Sequence, residues 1–176
     1  MYEKINTIHK VAHSQLEVAS GGVTRYKRGA LVEGIIQMVW ESLGGTVKKV
    51  KFPCVRGDKT CKMGLDAVLY KDEVIKAHVE CKSYLDLCYL ERAEWNSREM
   101  FENSITEPKI ILALENSIAE TSKDYVLEGN YIDEIFFLCQ GKRSSTRPLY
   151  KKESFKDIDT EYFSIFYKYL QNLIKS

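Results

Sequence analysis

Ile110–Leu114 is a short run with no polar side chain, bounded by Glu107-Pro108 before it and by the polar, acidic stretch Glu115–Asn130 after it. So short an apolar run without alternation is a strand buried on both faces, the middle of a sheet. Ile132–Cys139, with Ile135, Phe136, Phe137 and Leu138, repeats the pattern. A sheet of this kind needs a layer on each side, and the remaining periodicity supplies helices. Ile5, Ile8, Ala12, Leu16 and Ala19 fall at helical spacing and predict a first helix that stops before Gly21-Gly22. Leu31, Ile35, Val39 and Leu43 form one stripe of a second helix over Ala30–Leu43, with Ile36 and Trp40 beside it and Gly44-Gly45 ending it. Asp86 is placed to cap a third over Leu87–Ile105. Phe163, Phe166, Tyr167, Leu170, Leu173 and Ile174 mark a last one over Thr160–Ile174, with Asp159 or Thr160 as cap. The helical pattern within Glu115–Asn130 is weak.

Between the second and third helices the period changes to two. Thr46–Phe52 reads as a strand with lysines on its wet edge and Pro53–Gly64 as a loop. Leu65–Tyr70 and Val74–Cys81 read as a hairpin joined by Lys71-Asp72-Glu73. The expected fold is α/β, a central mixed β-sheet of about five strands flanked by helices. At 176 residues the chain is expected to be a single domain, residues 1–176.

Composition closes off other classes. With 44% apolar and 11% aromatic residues the chain is too hydrophobic for intrinsic disorder. No stretch of about 18 apolar residues exists to span a membrane. Met1–Asn6 lacks a basic stretch followed by an apolar run, so no secretory leader is expected. The five cysteines read as thiols of a cytoplasmic protein. Cys54 and Cys61 lack the companion ligands of a structural zinc site. His9 and His13 lie one turn apart without the glutamate of a zinc-protease helix, which leaves a surface or packing pair.

The informative charges lie inside the hairpin. Asp66 is on one arm and Glu80 on the other, and pairing across a turn near Asp72 sets position 66 opposite roughly 78 to 80. Alternation puts Glu80 and Lys82 on one face and Cys81 on the other. Their neighbours Leu65, Ala67, Val68, Leu69, Ala77 and Val79 are apolar, a setting that does not casually carry Asp, Glu and Lys. Two carboxylates, helped by the Cys81 carbonyl, suit a hard divalent cation, and an adjacent lysine can orient a water or stabilise charge on a phosphate oxygen. A structural ion pair at a sheet end uses the same residues. Glu33, on a mostly buried helix, also needs a partner.

Gly64-Leu65-Asp66-Ala67, with thirteen residues between the aspartate and Glu80-Cys81-Lys82, resembles the PD-(D/E)XK nuclease superfamily, best known from type II restriction endonucleases. Leu65 stands where the family's naming proline would be. The resemblance covers about residues 27–140, the expected catalytic core, with the basic loop and last helix at 141–176 beyond it. It implies a restriction-endonuclease-like fold and Mg²⁺-dependent hydrolysis of double-stranded DNA, leaving 5′-phosphate and 3′-hydroxyl ends. It casts Asp66, Glu80 and the Cys81 carbonyl as metal ligands, Lys82 as the catalytic lysine and Glu33 as an accessory carboxylate. As a type II enzyme the protein would be a homodimer with a companion DNA methyltransferase. A junction-resolving or repair nuclease of the same superfamily, a DNA-binding module without hydrolysis and a structural α/β protein are the alternatives.

The formal charge of +1 hides an asymmetry. Lys48, Lys49, Lys51, Arg56, Lys59 and Lys62 face only Asp58 within Thr46–Lys62. Lys142, Arg143, Arg147, Lys151, Lys152 and Lys156 face only Glu153, whereas Glu91–Glu107 is acidic. Basic loops and an acidic back suit a DNA cleft, and solvated surface runs look the same. Lys142, Arg143, Ser145, Arg147 and Lys151 are the expected DNA-binding residues of the second segment, with Arg143 or Arg147 suited to guanine edges. Arg25, Lys27 and Arg28, ahead of the Glu33 helix, are expected to clamp the backbone. Gln140, Ser83 and Tyr84 are secondary candidates.

Overall fold

The computed structural model describes residues 1–18, 24–56, 58–143 and 156–176. Their order is α1 (Tyr2–Val18), α2 (Thr24–Ser42), β1 (Thr46–Lys48), β2 (Lys51–Arg56), β3 (Lys59–Gly64), β4 (Ala67–Lys71), β5 (Val74–Leu85), α3 (Leu87–Glu102), β6 (Lys109–Asn116), α4 (Glu120–Glu128), β7 (Glu134–Phe137) and α5 (Thr160–Leu173). Five strands form one sheet in the order β1-β4-β5-β6-β7. β1, β4 and β5 run antiparallel, whereas β5, β6 and β7 are parallel, joined through α3 and α4. The architecture is therefore α/β with a central mixed sheet between helices. No helix among the described residues is long and apolar enough to cross a membrane.

β6 shows why the apolar run had to be central. Ile110, Leu112 and Leu114 point into a cluster with Val32, Ile35, Ile36, Val39 and Trp40 of α2 and Phe163, Phe166 and Leu170 of α5. Ile111 and Ala113 point the other way, to Leu90 and Ala93 of α3 and Val126 of α4. Burying each such aliphatic side chain contributes about 1.5–3 kcal/mol, so the run stabilises both layers at once. On β5 the same alternation sends Ala77, Val79 and Cys81 to the α2 side. His9 of α1 is buried, its Nε2 2.8 Å from the Lys156 carbonyl oxygen, and so takes the packing role.

α2 begins at Thr24 rather than Ala30, so Arg25, Lys27 and Arg28 lie within it, and two further segments differ from expectation. The strand expected over Thr46–Phe52 is divided: β1 joins the main sheet, and β2 pairs with β3 in a separate hairpin. The hairpin occupies the stretch expected as loop, where Pro53 and the lysines obscure an alternation of Phe52 and Cys54 with Cys61 and Met63. The Leu65 N–H donates to the Val50 oxygen at 3.1 Å, which makes positions 52 and 54 the hydrogen-bonded ones. Pro53 then faces away from its partner strand, where its missing N–H is harmless. The hairpin packs through Cys54, Met63 and Leu65 on Val68 of β4 and Met100 of α3. The weak pattern after β6 is α4, nine residues long.

Trp40 ties the end of α2 to the sheet. Its ring is fully buried and its indole N–H donates to the Tyr70 oxygen at 2.8 Å. The helix closes as Gly45 N–H returns to the Trp40 oxygen at 3.1 Å, with Gly44 at φ +87°. This brings Gly45 against the indole, where an added Cβ would sit 2.1 Å from Nε1. Gly45→Ala should therefore destabilise the protein by roughly 1–3 kcal/mol. Urea denaturation followed by tryptophan fluorescence checks this, and an unchanged midpoint would contradict the packing described.

Candidate active site on the central strand

The side chains that matter lie on the α3 side of β4 and β5, and a bulge puts them there. Leu69 pairs with Ala77 but Tyr70 with Ile75, so Lys76 is an extra residue on β5. Beyond it the register, Ala67 opposite Val79, sets Asp66 level with Glu80. Without the extra residue Asp66 would stand level with Val79 and point to the opposite face from Glu80. β4 begins at Ala67, so Asp66 leaves the ladder and its carboxylate turns back to the strand. Its Oδ2 accepts the Cys81 N–H at 2.8 Å. The Cys81 carbonyl points to the same side as that N–H, past the end of the β4–β5 ladder.

Lys82 completes the group. Its Nζ is 2.6 Å from Glu80 Oε2 and 3.2 Å from Asp66 Oδ2. The other oxygen of Glu80 accepts from Asn96 Nδ2 at 3.2 Å. Burial by itself would push the Lys82 pKa down, but the charges of Glu80 and Asp66 and their hydrogen bonds outweigh it and hold it above the ordinary lysine value. Lys82 is thus an ammonium at neutral pH. Cys81 is directed to the α2 core, where burial first and the Asp66 charge second push its thiol well above the usual range. Its sulfur is therefore a packing group.

These residues floor a cleft of about 240 Å³ whose other lining includes Gly29, Gly64, Ser83, Tyr84, Tyr89 and Arg92. Ser83 and Tyr84 both line the cleft, and the Tyr84 ring packs on the Tyr89 ring with centroids 5.6 Å apart. Tyr89, Arg92 and Asn96 were not anticipated. They recur at three- and four-residue spacing on α3, so the helical period itself places them on one face. Asp86 caps that helix as expected, accepting from the Tyr89 N–H.

Other expected residues are placed differently. Glu33 is one turn beyond Gly29 on α2 and forms an ion pair with Lys49, and it is not among the described residues lining the cleft. Among the described residues, no group of three or more His, Cys, Asp and Glu side chains is gathered to hold a metal ion. Lys142 is exposed and bridges to Asn116 at the end of β6. Gln140 is exposed and donates to Asp159. The side chains of Arg25, Lys27 and Arg28, and Ser145, Arg147 and Lys151 altogether, lie outside the described residues. Arg143 departs from the expectation of a loop residue reaching base edges. It is 6% exposed, its Nε lies 3.3 Å from Glu115 Oε2, and its guanidinium stacks 4.7 Å from the centre of the Tyr84 ring. Glu115, the residue before the end of β6, is fully buried and pairs with this guanidinium.

Two outcomes follow from these electrostatics. Arg143→Met, which removes the guanidinium paired with the buried Glu115, should cost about 3–5 kcal/mol, measured as the loss in unfolding free energy. For Lys82, a pKa raised by folding contributes stability that is complete below the unfolded value near ~10.4 and is lost as pH climbs through the folded one. In an Asp66→Asn/Glu80→Gln variant burial acts unopposed, and the Lys82 pKa should drop below the ordinary value. An NMR titration of the lysine side chain reads the sign, and a value still raised would refute the assignment.

Compared with known proteins, the chain matches no family model and no curated relative.

Proposed function

We propose that the protein is a Mg²⁺-dependent endonuclease that hydrolyses phosphodiester bonds of double-stranded DNA at a short site, as a type II restriction enzyme does. The observation that carries this reading is the meeting of Asp66, Glu80 and Lys82 on one face of β5, at the floor of an open cleft. The donor set fits the ion. Carboxylate oxygens of Asp66 and Glu80 and the carbonyl of Cys81 are all hard ligands, while the Cys81 sulfur is turned away. Mg²⁺ is commonly held by one or two carboxylates and keeps several waters, so two acids suffice. Asp66, Glu80 and the Cys81 carbonyl would hold it, with Glu33 as an accessory carboxylate if released from Lys49. When bound, Mg²⁺ supplies polarisation of a phosphate oxygen and a more acidic water.

The chain's own residues do the rest. The Cys81 N–H and Asn96 fix one oxygen of Asp66 and one of Glu80, so the carboxylates are oriented before substrate arrives. Lys82, protonated, is a donor rather than a base, suited to orienting the attacking water and to the charge that grows on the phosphate. In-line attack would give a 5′-phosphate and a 3′-hydroxyl. The exposed Lys48, Lys51, Lys59 and Lys62 on β1–β3, and Lys49 between β1 and β2, supply cations for the DNA backbone, with Lys142 at the far edge of the sheet. Arg25, Lys27, Arg28, Ser145, Arg147 and Lys151 extend that proposal. Two copies would cut the two strands of a palindromic site, and a companion methyltransferase would protect the host's own sites.

Incubation of mixed duplex DNA with and without Mg²⁺, read on a gel, is the test. Discrete fragments formed only with Mg²⁺ are expected, and Asp66→Asn or Lys82→Ala should slow cleavage by roughly 100-fold or more while circular dichroism stays native. Cleavage confined to branched or nicked DNA would assign a junction-resolving or repair nuclease instead. Tight binding without turnover would leave a DNA-binding module, and full activity in either variant would remove the site.

A further inference from the structure

Cys54 and Cys61 face each other directly across the β2–β3 ladder, with their sulfur atoms 2.9 Å apart. They occupy a hydrogen-bonded position of the hairpin, by the same alternation that turns Pro53 outward. Cα atoms at such positions are about 5.5 Å apart, inside the range of roughly 4.4–6.8 Å that a disulfide spans. The two differ in access: Cys54 is 1% exposed, whereas Cys61 is only partly covered. The other cysteines lie on β5, on α3 and after β7.

We propose that this pair is a site of reversible oxidative modification, closing to an intramolecular disulfide with hydrogen peroxide as oxidant. Cys61, the accessible thiol, reacts first: its sulfur attacks one peroxide oxygen, the O–O bond breaks, and a sulfenic acid and one water result. The Cys54 sulfur, already in contact, then attacks the sulfenic sulfur. The S–S bond forms, the S–O bond breaks, and the hydroxyl leaves as a second water with the Cys54 proton. Two thiols are oxidised and one peroxide is reduced to two waters. Neighbouring placement makes the second step faster than further oxidation of Cys61, because the nucleophile is held at the site. The link would tie together the hairpin whose last residue, Gly64, lies two positions before Asp66. The hairpin holds the two sulfurs together whether or not the cleft hydrolyses DNA.

The experiment treats the full chain with hydrogen peroxide, or with dithiothreitol as control, and digests it with trypsin without reduction for mass spectrometry. The expected product is Phe52–Arg56 joined to Thr60–Lys62 and two hydrogens lighter than the separate peptides, with two of the five thiols lost. Dithiothreitol should restore both. Cys61→Ala, at a partly exposed position, should keep the native circular dichroism and lose the intramolecular link. Both thiols surviving peroxide, Cys61 passing to sulfinic acid unlinked, or Cys54 joining another cysteine or another chain would each overturn the proposal.

Discussion

The constraint on which the rest depends is that β5 is central in the sheet and yet carries charge on one of its two faces. On the α2 face Ala77, Val79 and Cys81 are as apolar as the neighbouring strand requires. On the α3 face Glu80 and Lys82 are mostly withdrawn from water, with side chains 14% and 19% exposed. Charges so placed persist only when paired and hydrogen-bonded. The sheet end is shaped to provide this: β4 stops one residue short, Asp66 folds back, and α3 presents Asn96 to the remaining oxygen.

How much of this was legible follows from which physical rule sets each position. Period-two alternation places Glu80 and Lys82 on one face whatever else the chain does, so that pairing could be read directly. Asp66 could be placed only to within a residue, because its face depends on the extra Lys76 in β5, and nothing about a lysine among Ile75 and Ala77 announces a bulge. The lost hairpin has another cause. Its inward positions, Phe52, Cys54, Cys61 and Met63, alternate correctly, but Pro53 and the lysines weigh against a strand in any local reading. Arg143 shows the limit of charge patterns. Its buried partner, Glu115, is far away in sequence and becomes its neighbour because Lys142 bridges to Asn116.

The two faces of the sheet divide the tasks. α1, α2 and α5 close the first with a continuous apolar cluster that includes the large rings of Trp40, Phe163 and Phe166. α3 covers the second with a mixed surface, Leu90 and Ala93 inward and Arg92 and Asn96 toward the cleft. The helix that packs the sheet thus also supports the site, and a rigid scaffold beneath converging polar groups is the arrangement that keeps geometry fixed when a ligand arrives.

The composition of the site bears on why it exists. One ammonium against two carboxylates leaves the trio net negative, and the guanidinium of Arg92 in the same cleft lining offsets that charge. Partly buried ion networks are often no more stable than apolar side chains of similar volume. Leu65, Ala67, Val68 and Val79 show that this part of the sheet is otherwise built from such side chains. Folding alone therefore gives no reason for three charges to converge there. A local departure from the rule that keeps charge out of sheet interiors, held by hydrogen bonds and open to solvent through a cleft, is where a functional demand is expected to override stability. Under the proposed function, the hard oxygen donors and the adjacent ammonium are the groups that hydrolysis of a metal-bound phosphodiester would use.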